Sequence, residues 1–192
     1  MHQSTTVALS ISTTAAALLL LCIWPAAVHG SAKLTHITGT AKPIQLVINR
    51  HYLQVLPSGA VNGTHEFNNV HTLMRRLAID RKHVVIQNML TCMFVCMDTC
   101  GRLYGSSVAT KDCKFKEKLE HNNYNSYLRI HHKKRSYIAL DNGGNPRRLQ
   151  IHVGRTLRQL GRYSLAIINP IEFELYSVCD AVKTTTGPHR AC

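Results

Sequence analysis

Tyr52-Leu-Gln-Val-Leu-Pro-Ser-Gly59, Phe94-Val-Cys-Met-Asp-Thr-Cys-Gly101 and Tyr137-Ile-Ala-Leu-Asp-Asn-Gly-Gly144 follow one pattern. Each opens on an aromatic residue and reaches a glycine seven positions later. The aromatics lie 42 and 43 residues apart. Apolar side chains recur at matching alternate positions: Leu53 and Val55, Val95 and Met97, Ile138 and Leu140. Period-two alternation places each pair on one face of a strand. The glycine supplies the positive φ of a hairpin turn. A period of roughly 40 residues marks an array of supersecondary units. Three copies are too few for an ordinary propeller. Three four-stranded units closing about a pseudo-threefold axis give an all-β fold of twelve strands, the β-trefoil, with the equivalent apolar pairs meeting as layers in the core. Three unrelated hairpins in a sandwich are the alternative. Long helical periodicity is missing from most of the chain. Leu73 to Ile79 reads equally as a short helix or as a strand with a turn.

Outside the repeats, charge and the N-terminal segment set the context. The 192 residues carry 23 Lys+Arg against 10 Asp+Glu, a formal net charge of +13. Such an excess favours polyanionic partners: nucleic acid, anionic membrane or sulfated polysaccharide. Residues 1–30 contain no Asp, Glu, Lys or Arg. Their apolar stretch from Ala15 to Trp24 is followed by Pro25, and Val28 and Gly30 place small residues before a cleavage after Gly30. This is the layout of a secretory signal peptide. An uncleaved anchor is the alternative, but the apolar core is too short for a comfortable span. A secreted basic protein meets heparan sulfate rather than nucleic acid, and no membrane insertion is expected after cleavage. Residues 31–43 read as a polar lead-in. Residues 172–192 read as a C-terminal tail, mobile over Lys183–Cys192.

Cleavage removes Cys22 and leaves Cys92, Cys96, Cys100, Cys113, Cys179 and Cys192. An even count in an oxidising compartment permits disulfides, and six cysteines allow fifteen full pairings. Cys92, Cys96 and Cys100 recur every four residues without the close pairing of a zinc knuckle, so no metal site is expected. Cys179 and Cys192 are expected to pair with each other or with another chain. No His-Glu-x-x-His, nucleophile elbow or phosphate-binding glycine loop occurs. The histidines are scattered, and adjacent His131 and His132 would point opposite ways on a strand. Neither enzymatic activity nor a cofactor is expected.

Gly101-Arg-Leu-Tyr-Gly-Ser-Ser-Val-Ala-Thr-Lys-Asp-Cys-Lys-Phe-Lys-Glu117, followed by six residues and Tyr124, resembles the signature of the fibroblast growth factor family. Gly101, Leu103, Gly105, Asp112, Cys113, Phe115, Glu117 and Tyr124 all hold the signature spacing. Tyr52 to Thr64 is similar to the family's first hairpin, and Leu119 to Tyr127 to its central segment. The resemblance covers about Ile44 to Ile171. It implies a β-trefoil at residues 44–171 and an extracellular ligand of a receptor tyrosine kinase, with heparan sulfate as co-receptor. The alternative is a non-signalling trefoil that occupies receptor or polysaccharide as a decoy or reservoir. A trefoil lectin would stack sugars on Trp, and the single Trp here is Trp24. No exposed rigid reactive loop suggests a protease inhibitor. The departures from vertebrate members resemble a divergent invertebrate or insect-virus (baculovirus) copy.

The resemblance carries receptor contacts to Glu117, Asn122, Tyr124 and Ile171. His65 stands where the family often has Arg after Gly-Thr, and an imidazole cannot make a bidentate fork. The resemblance carries heparin contacts to Arg147 and Arg148, and Arg155, Arg158 and Arg162 extend the set. Arginine suits sulfates through its planar fork. Asp141 and Asn142 replace basic residues common before that turn, and about seven extra residues lie between Arg148 and Leu165. Lys133, Lys134 and Arg135 read as solvated surface. Some family members bridge the cysteines matching Cys96 and Cys113. The resemblance thus implies a Cys96–Cys113 disulfide, worth about 3 kcal/mol, and Cys96 has the opposite strand parity to Val95 and Met97. Asn62-Gly63-Thr64 is a glycosylation sequon, and its Asn-Gly pair also suits a hairpin turn.

Overall fold

The computed structural model of the chain describes residues 42–120, 123–172, 178, 179, 185, 187 and 189–192. The signal peptide read at 1–30 and most of the lead-in lie outside the described residues. Twelve strands follow in order: β1 (Ile44–Ile48), β2 (His51–Val55), β3 (Val61–Thr64), β4 (Met74–Ala78), β5 (His83–Asn88) and β6 (Phe94–Met97). Then come β7 (Leu103–Ser106), β8 (Phe115–Leu119), β9 (Asn125–His131), β10 (Lys134–Tyr137), β11 (Leu149–His152) and β12 (Ala166–Pro170). The stretch from Leu73 to Ile79 is a strand, β4, paired along its whole length with β5.

The pairings close a ring. β1 pairs β4, β4 pairs β5, β5 pairs β8, β8 pairs β9, β9 pairs β12, and β12 returns to β1. This is a six-stranded antiparallel barrel without free edges among its members. The hairpins β2–β3, β6–β7 and β10–β11 hang from β1, β5 and β9 respectively. Val55 faces Val61, Met97 faces Leu103, and Leu140 faces Pro146, so the three turns share one register. The threefold repeat read in the sequence is the threefold repeat of the β-trefoil.

The core follows from the alternation. Leu53, Val55, Val95, Met97, Ile138 and Leu140 are all fully buried and share one cluster with Leu46, Ile48, Met74, Ile86 and Phe115. Cys96, of opposite parity, leaves that cluster for a second one with Val85, Phe94, Ala109 and Cys113. Gly59, Gly101 and Gly144 have φ of 83°, 79° and 79°. At Gly144 the turn also touches the next hairpin. The Gly63 N–H donates to the Gly144 carbonyl at 2.7 Å, and a Cβ on Gly144 would lie 2.7 Å from the Gly63 carbonyl oxygen. The Gly105 N–H repeats this contact on the Gly59 carbonyl.

Asn62-Gly63 lies within β3 rather than in the turn, which is closed at Leu56–Ala60 by backbone bonds. His132 leaves β9 with a φ of 44°, followed by Lys133 at 60°, so the His131 and His132 rings meet at 4.1 Å instead of diverging. Cys179 and Cys192 do not pair with each other: the disulfides are Cys92–Cys179, Cys96–Cys113 and Cys100–Cys192.

Nor are the described residues of Lys183–Cys192 free. The Thr185 N–H donates to the Ala109 carbonyl, and the Thr99 N–H donates to the Arg190 carbonyl. The reason is Asp112, which is 1% exposed and accepts from Tyr104 Oη, Arg129 Nη2, His189 Nδ1 and the Arg190 N–H at 2.7–3.0 Å. Two of those four donors come from the C-terminal segment. A buried carboxylate needs such donors, so the segment is drawn to the β6–β7 turn, where Cys100 meets Cys192.

Candidate functional site

Alternation on the barrel strands sorts the expected receptor contacts. Phe115 and Glu117 share a parity on β8, and Phe115 points into the core. Glu117 therefore turns toward the barrel interior at its rim. Its Oε1 accepts from Tyr127 Oη at 2.8 Å and from Arg76 Nη1. Arg76 and Tyr127 are 2% and 1% exposed. Burial raises the Tyr127 hydroxyl pKa well above its ordinary value; Arg76 opposes this and Glu117 reinforces it. Glu117 thus balances a buried guanidinium.

Asn122 lies outside the described residues. Tyr124 is half-buried, its carbonyl accepting from the Glu120 N–H at 2.7 Å, just before β9 pairs with β12 at Asn125–Ala166. Ile171 follows the other end of β12 and donates its N–H to the Pro43 carbonyl. Five strand residues between them span roughly 17 Å. Tyr124 and Ile171 thus mark the two ends of β12. Along its outer face lie Ile167 and Asn169, beside Val47 and Gln45 of β1. Ile167 is 47% exposed. Val47 and Ile167 were not singled out from the sequence. Their signal was the alternation that buries Leu46, Ile48 and Ala166 and turns Val47 and Ile167 outward; Gln45, on the same outer side, is buried where its amide donates to the Phe67 carbonyl and Thr72 Oγ1. The structure thus places Tyr124 and Ile171 along one strip and sets Glu117 apart from it.

The expected heparin residues separate too. Arg147 and Arg162 both stack on Tyr163, their guanidinium carbons 4.2 and 4.6 Å from its ring centre. Tyr163 is buried against Leu128, Tyr137, Ala139 and Leu149. Its carbonyl accepts from the Leu140 N–H, while the Arg147 N–H donates to Ala139. The stretch between Arg148 and Leu165, which holds the extra residues, thus forms β11, a turn and a 3-10 segment at Arg158–Tyr163 that returns Arg162 to Arg147. Arg148 lines a shallow depression of about 270 Å³ with Arg102, Leu103, Pro146 and Arg147. Arg155 and Arg158 are exposed and line neither this depression nor the next. Of the surface run, Lys133 and Lys134 are exposed, whereas Arg135 donates to the Val153 and Arg155 carbonyls.

A larger depression, about 520 Å³, joins the two sets. It is lined by Tyr124, Val47, Ile167, Arg50, Asn142 and Arg162, among others. Asn142 accepts from Asn49 Nδ2 at 3.2 Å, and the Asp141 carboxylate is occupied by the N–H groups of Gly143 and Asn145. Those bonds, the Asn145 N–H first, hold the Asp141 carboxyl below its ordinary pKa. Asp141 and Asn142 thus build the turn, and the positive charge beside them comes from Arg50 and Arg162. Arg50 escaped the sequence reading because it stands alone in a two-residue turn, where it and Asn49 take φ of 67° and 47°. His65 is exposed, its ring 4.2 Å from that of His51. Asn62 accepts from Gln54 Nε2 at 2.7 Å. No cluster of three or more His, Cys, Asp or Glu suited to a metal occurs among the described residues.

The fold is a closed β-trefoil that sets an apolar strand face beside adjoining arginines. The fibroblast growth factor family model matches residues 44–158. The fibroblast growth factor homolog of Autographa californica nuclear polyhedrosis virus is 49% identical over 163 residues, covering 84% of this chain and 90% of the relative. That of Orgyia pseudotsugata multicapsid polyhedrosis virus is 38% identical over 150 residues, covering 78% and 73%. Human fibroblast growth factor 10 is 29% identical over 119 residues, covering 60% and 57%. The chain belongs to the fibroblast growth factor family. Proteins of this family are signalling ligands, not enzymes, and are typically secreted. Among the described residues no helix is long and apolar enough to cross a membrane.

Proposed function

We propose that the mature chain is a secreted ligand that activates a receptor tyrosine kinase with heparan sulfate as co-receptor. The observation that carries this reading is the shared depression. The outer face of β1 and β12 offers Val47, Ile167 and Tyr124, an apolar strip with an aromatic anchor. Arg50 and Arg162 flank the same hollow. A receptor docked on the strip therefore borders the arginines, and one sulfated chain can touch both proteins. Arg147, held with Arg162 on Tyr163, extends the basic surface. Ile171 closes the far end of the strip, Asn122 joins the receptor contacts from the segment before Tyr124, and Glu117 contributes by fixing the rim.

Purified Ser31–Cys192 applied to receptor-bearing cells that lack heparan sulfate tests the reading. Receptor tyrosine phosphorylation is expected with added heparin and absent without it. No phosphorylation in either condition, from a folded sample, leaves the decoy or reservoir reading. Secretion by way of residues 1–30 predicts an N-terminus at Ser31 in medium. Glycosylation at Asn62 predicts a mass loss on glycosidase treatment that Asn62→Gln abolishes.

A further inference from the structure

Beyond the arginine surface, a second basic depression occupies another part of the barrel. It measures about 260 Å³ and is lined by Lys111, Lys114, Lys116, Arg129, His83 and His189, with Leu128 and Ile130. It shares no lining residue with the hollow at Arg50 and Arg162 or with that at Arg147 and Arg148. Its lysines and arginine come from β8, the residue before it, β9 and the 3-10 turn at Lys111–Cys113, and its imidazoles from β5 and the C-terminal segment.

The lysines are placed by strand alternation. Phe115 fills the core, so Lys114 and Lys116 on either side face outward, about 6.8 Å apart along the strand. Lys116 stands opposite His83 in the β5–β8 ladder. No carboxylate lines the depression. Of the nearby ones, Asp112 pairs with the lining Arg129 and His189 and Asp80 with the lining His83, while Glu117 is held by Arg76 and Glu120 by Lys118, so the charge left over is that of the lysines. Among the described residues, Lys111, Lys114 and Lys116 form no ion pair, whereas Lys118 does. Three uncompensated ammonium groups repeat the same sign where like charges would repel, a surface that an anion neutralises. Lys114 and Lys116, spaced along extended backbone with Lys111 on the adjoining 3-10 turn, suit a ligand whose charges also repeat along a line. Lysine offers point charges rather than planar forks, which suits following a chain more than gripping one group.

We infer that the β8 lysine face is a second binding site for a linear sulfated polysaccharide, so that one molecule bridges two such chains. This rests on the polysaccharide reading given above but uses different residues. The test is titration of the complete mature chain with a heparin hexasaccharide, alongside aggregation of heparin-coated beads. Wild type is expected to bind two hexasaccharides and to aggregate beads. Lys111→Gln/Lys114→Gln/Lys116→Gln is expected to bind one and to lose aggregation with a melting temperature no lower than that of wild type. Restoring charge with Arg at the three positions returns the second equivalent. Arg147→Gln/Arg162→Gln removes the other equivalent. If only this arginine variant behaves as wild type, the proposed heparin surface fails and the inference stands. If the folded lysine variant keeps both equivalents and still aggregates beads, the inference is overturned. It is equally overturned if that variant loses only binding to phosphatidylserine vesicles.

Discussion

Single residues in this fold hold positions that their chemistry makes hard to replace. Gly144 combines a φ of 79° with a close approach to the Gly63 carbonyl. An alanine there strains the turn and presses on a neighbouring backbone. Gly144→Ala is expected to destabilise the protein by about 1–3 kcal/mol, measured by urea unfolding. A smaller loss than Gly154→Ala causes would refute the contact, because Gly154 has only an exposed imidazole nitrogen, 3.8 Å away, to meet. Asp112 offers a test in pH. Burial opposes its ionisation, but bonds from the Arg190 N–H, His189 and Tyr104, with the Arg129 charge, prevail and hold its pKa below the ordinary value. Burial and the same carboxylate push the Tyr104 hydroxyl up to about 12. A depressed carboxyl contributes stability that is present above the unfolded-state pKa of about 3.9 and lost as pH falls through the folded value. Asp112→Asn removes the titrating group. Its stability, lower at neutral pH, should fall less steeply between about pH 4 and pH 2. Parallel acid limbs for the two proteins would show that Asp112 does not set this slope.

At the scale of elements, the C-terminal segment is the least expected part. The Cys92–Cys179 and Cys100–Cys192 bridges span 87 and 92 residues of sequence. In the chain-entropy account a bridge of this length contributes about 4–5 kcal/mol, against about 3 for the short Cys96–Cys113 loop. Cys100→Ser/Cys192→Ser should therefore lower the melting temperature more than Cys96→Ser/Cys113→Ser. It should also speed trypsin cleavage after Arg190 and Lys183. Equal cleavage rates in the variant and wild type would mean that the bridge does not hold the segment. The repeats were legible because alternation and a turn glycine act locally, within eight residues. The tail was not, because its docking depends on four donors gathered around Asp112 from three separate parts of the chain. Composition alone, with Thr, Gly and Pro, reads as a free end. Tyr163 repeats the lesson: nothing in Arg158–Tyr163 announces that its aromatic ring will stack Arg162 with Arg147. Val47 and Ile167 stood in plain alternation, but only the closure of β12 onto β1 shows which apolar residues become a surface.

For the whole molecule, the net charge of +13 is the dominant constraint. Compaction brings like charges together, and that self-repulsion opposes folding. It is also what a polyanion relieves, so binding and stability should be coupled. Raising NaCl from about 10 mM to about 150 mM shortens the screening length from about 30 Å to about 8 Å and should raise the melting temperature. Heparin at low salt should raise it further, since a ligand at about 100 times its Kd adds about 2.7 kcal/mol to the native state. The two effects oppose each other when combined, because the salt that relieves self-repulsion also screens the ligand. At about 1 M NaCl heparin should therefore give no shift. The arginine and lysine variants described above should each keep part of the heparin shift at low salt, and their combination should lose most of it. A heparin shift that survives about 1 M NaCl would mean that binding rests on something other than these charges, and the assignment of both surfaces would fail together.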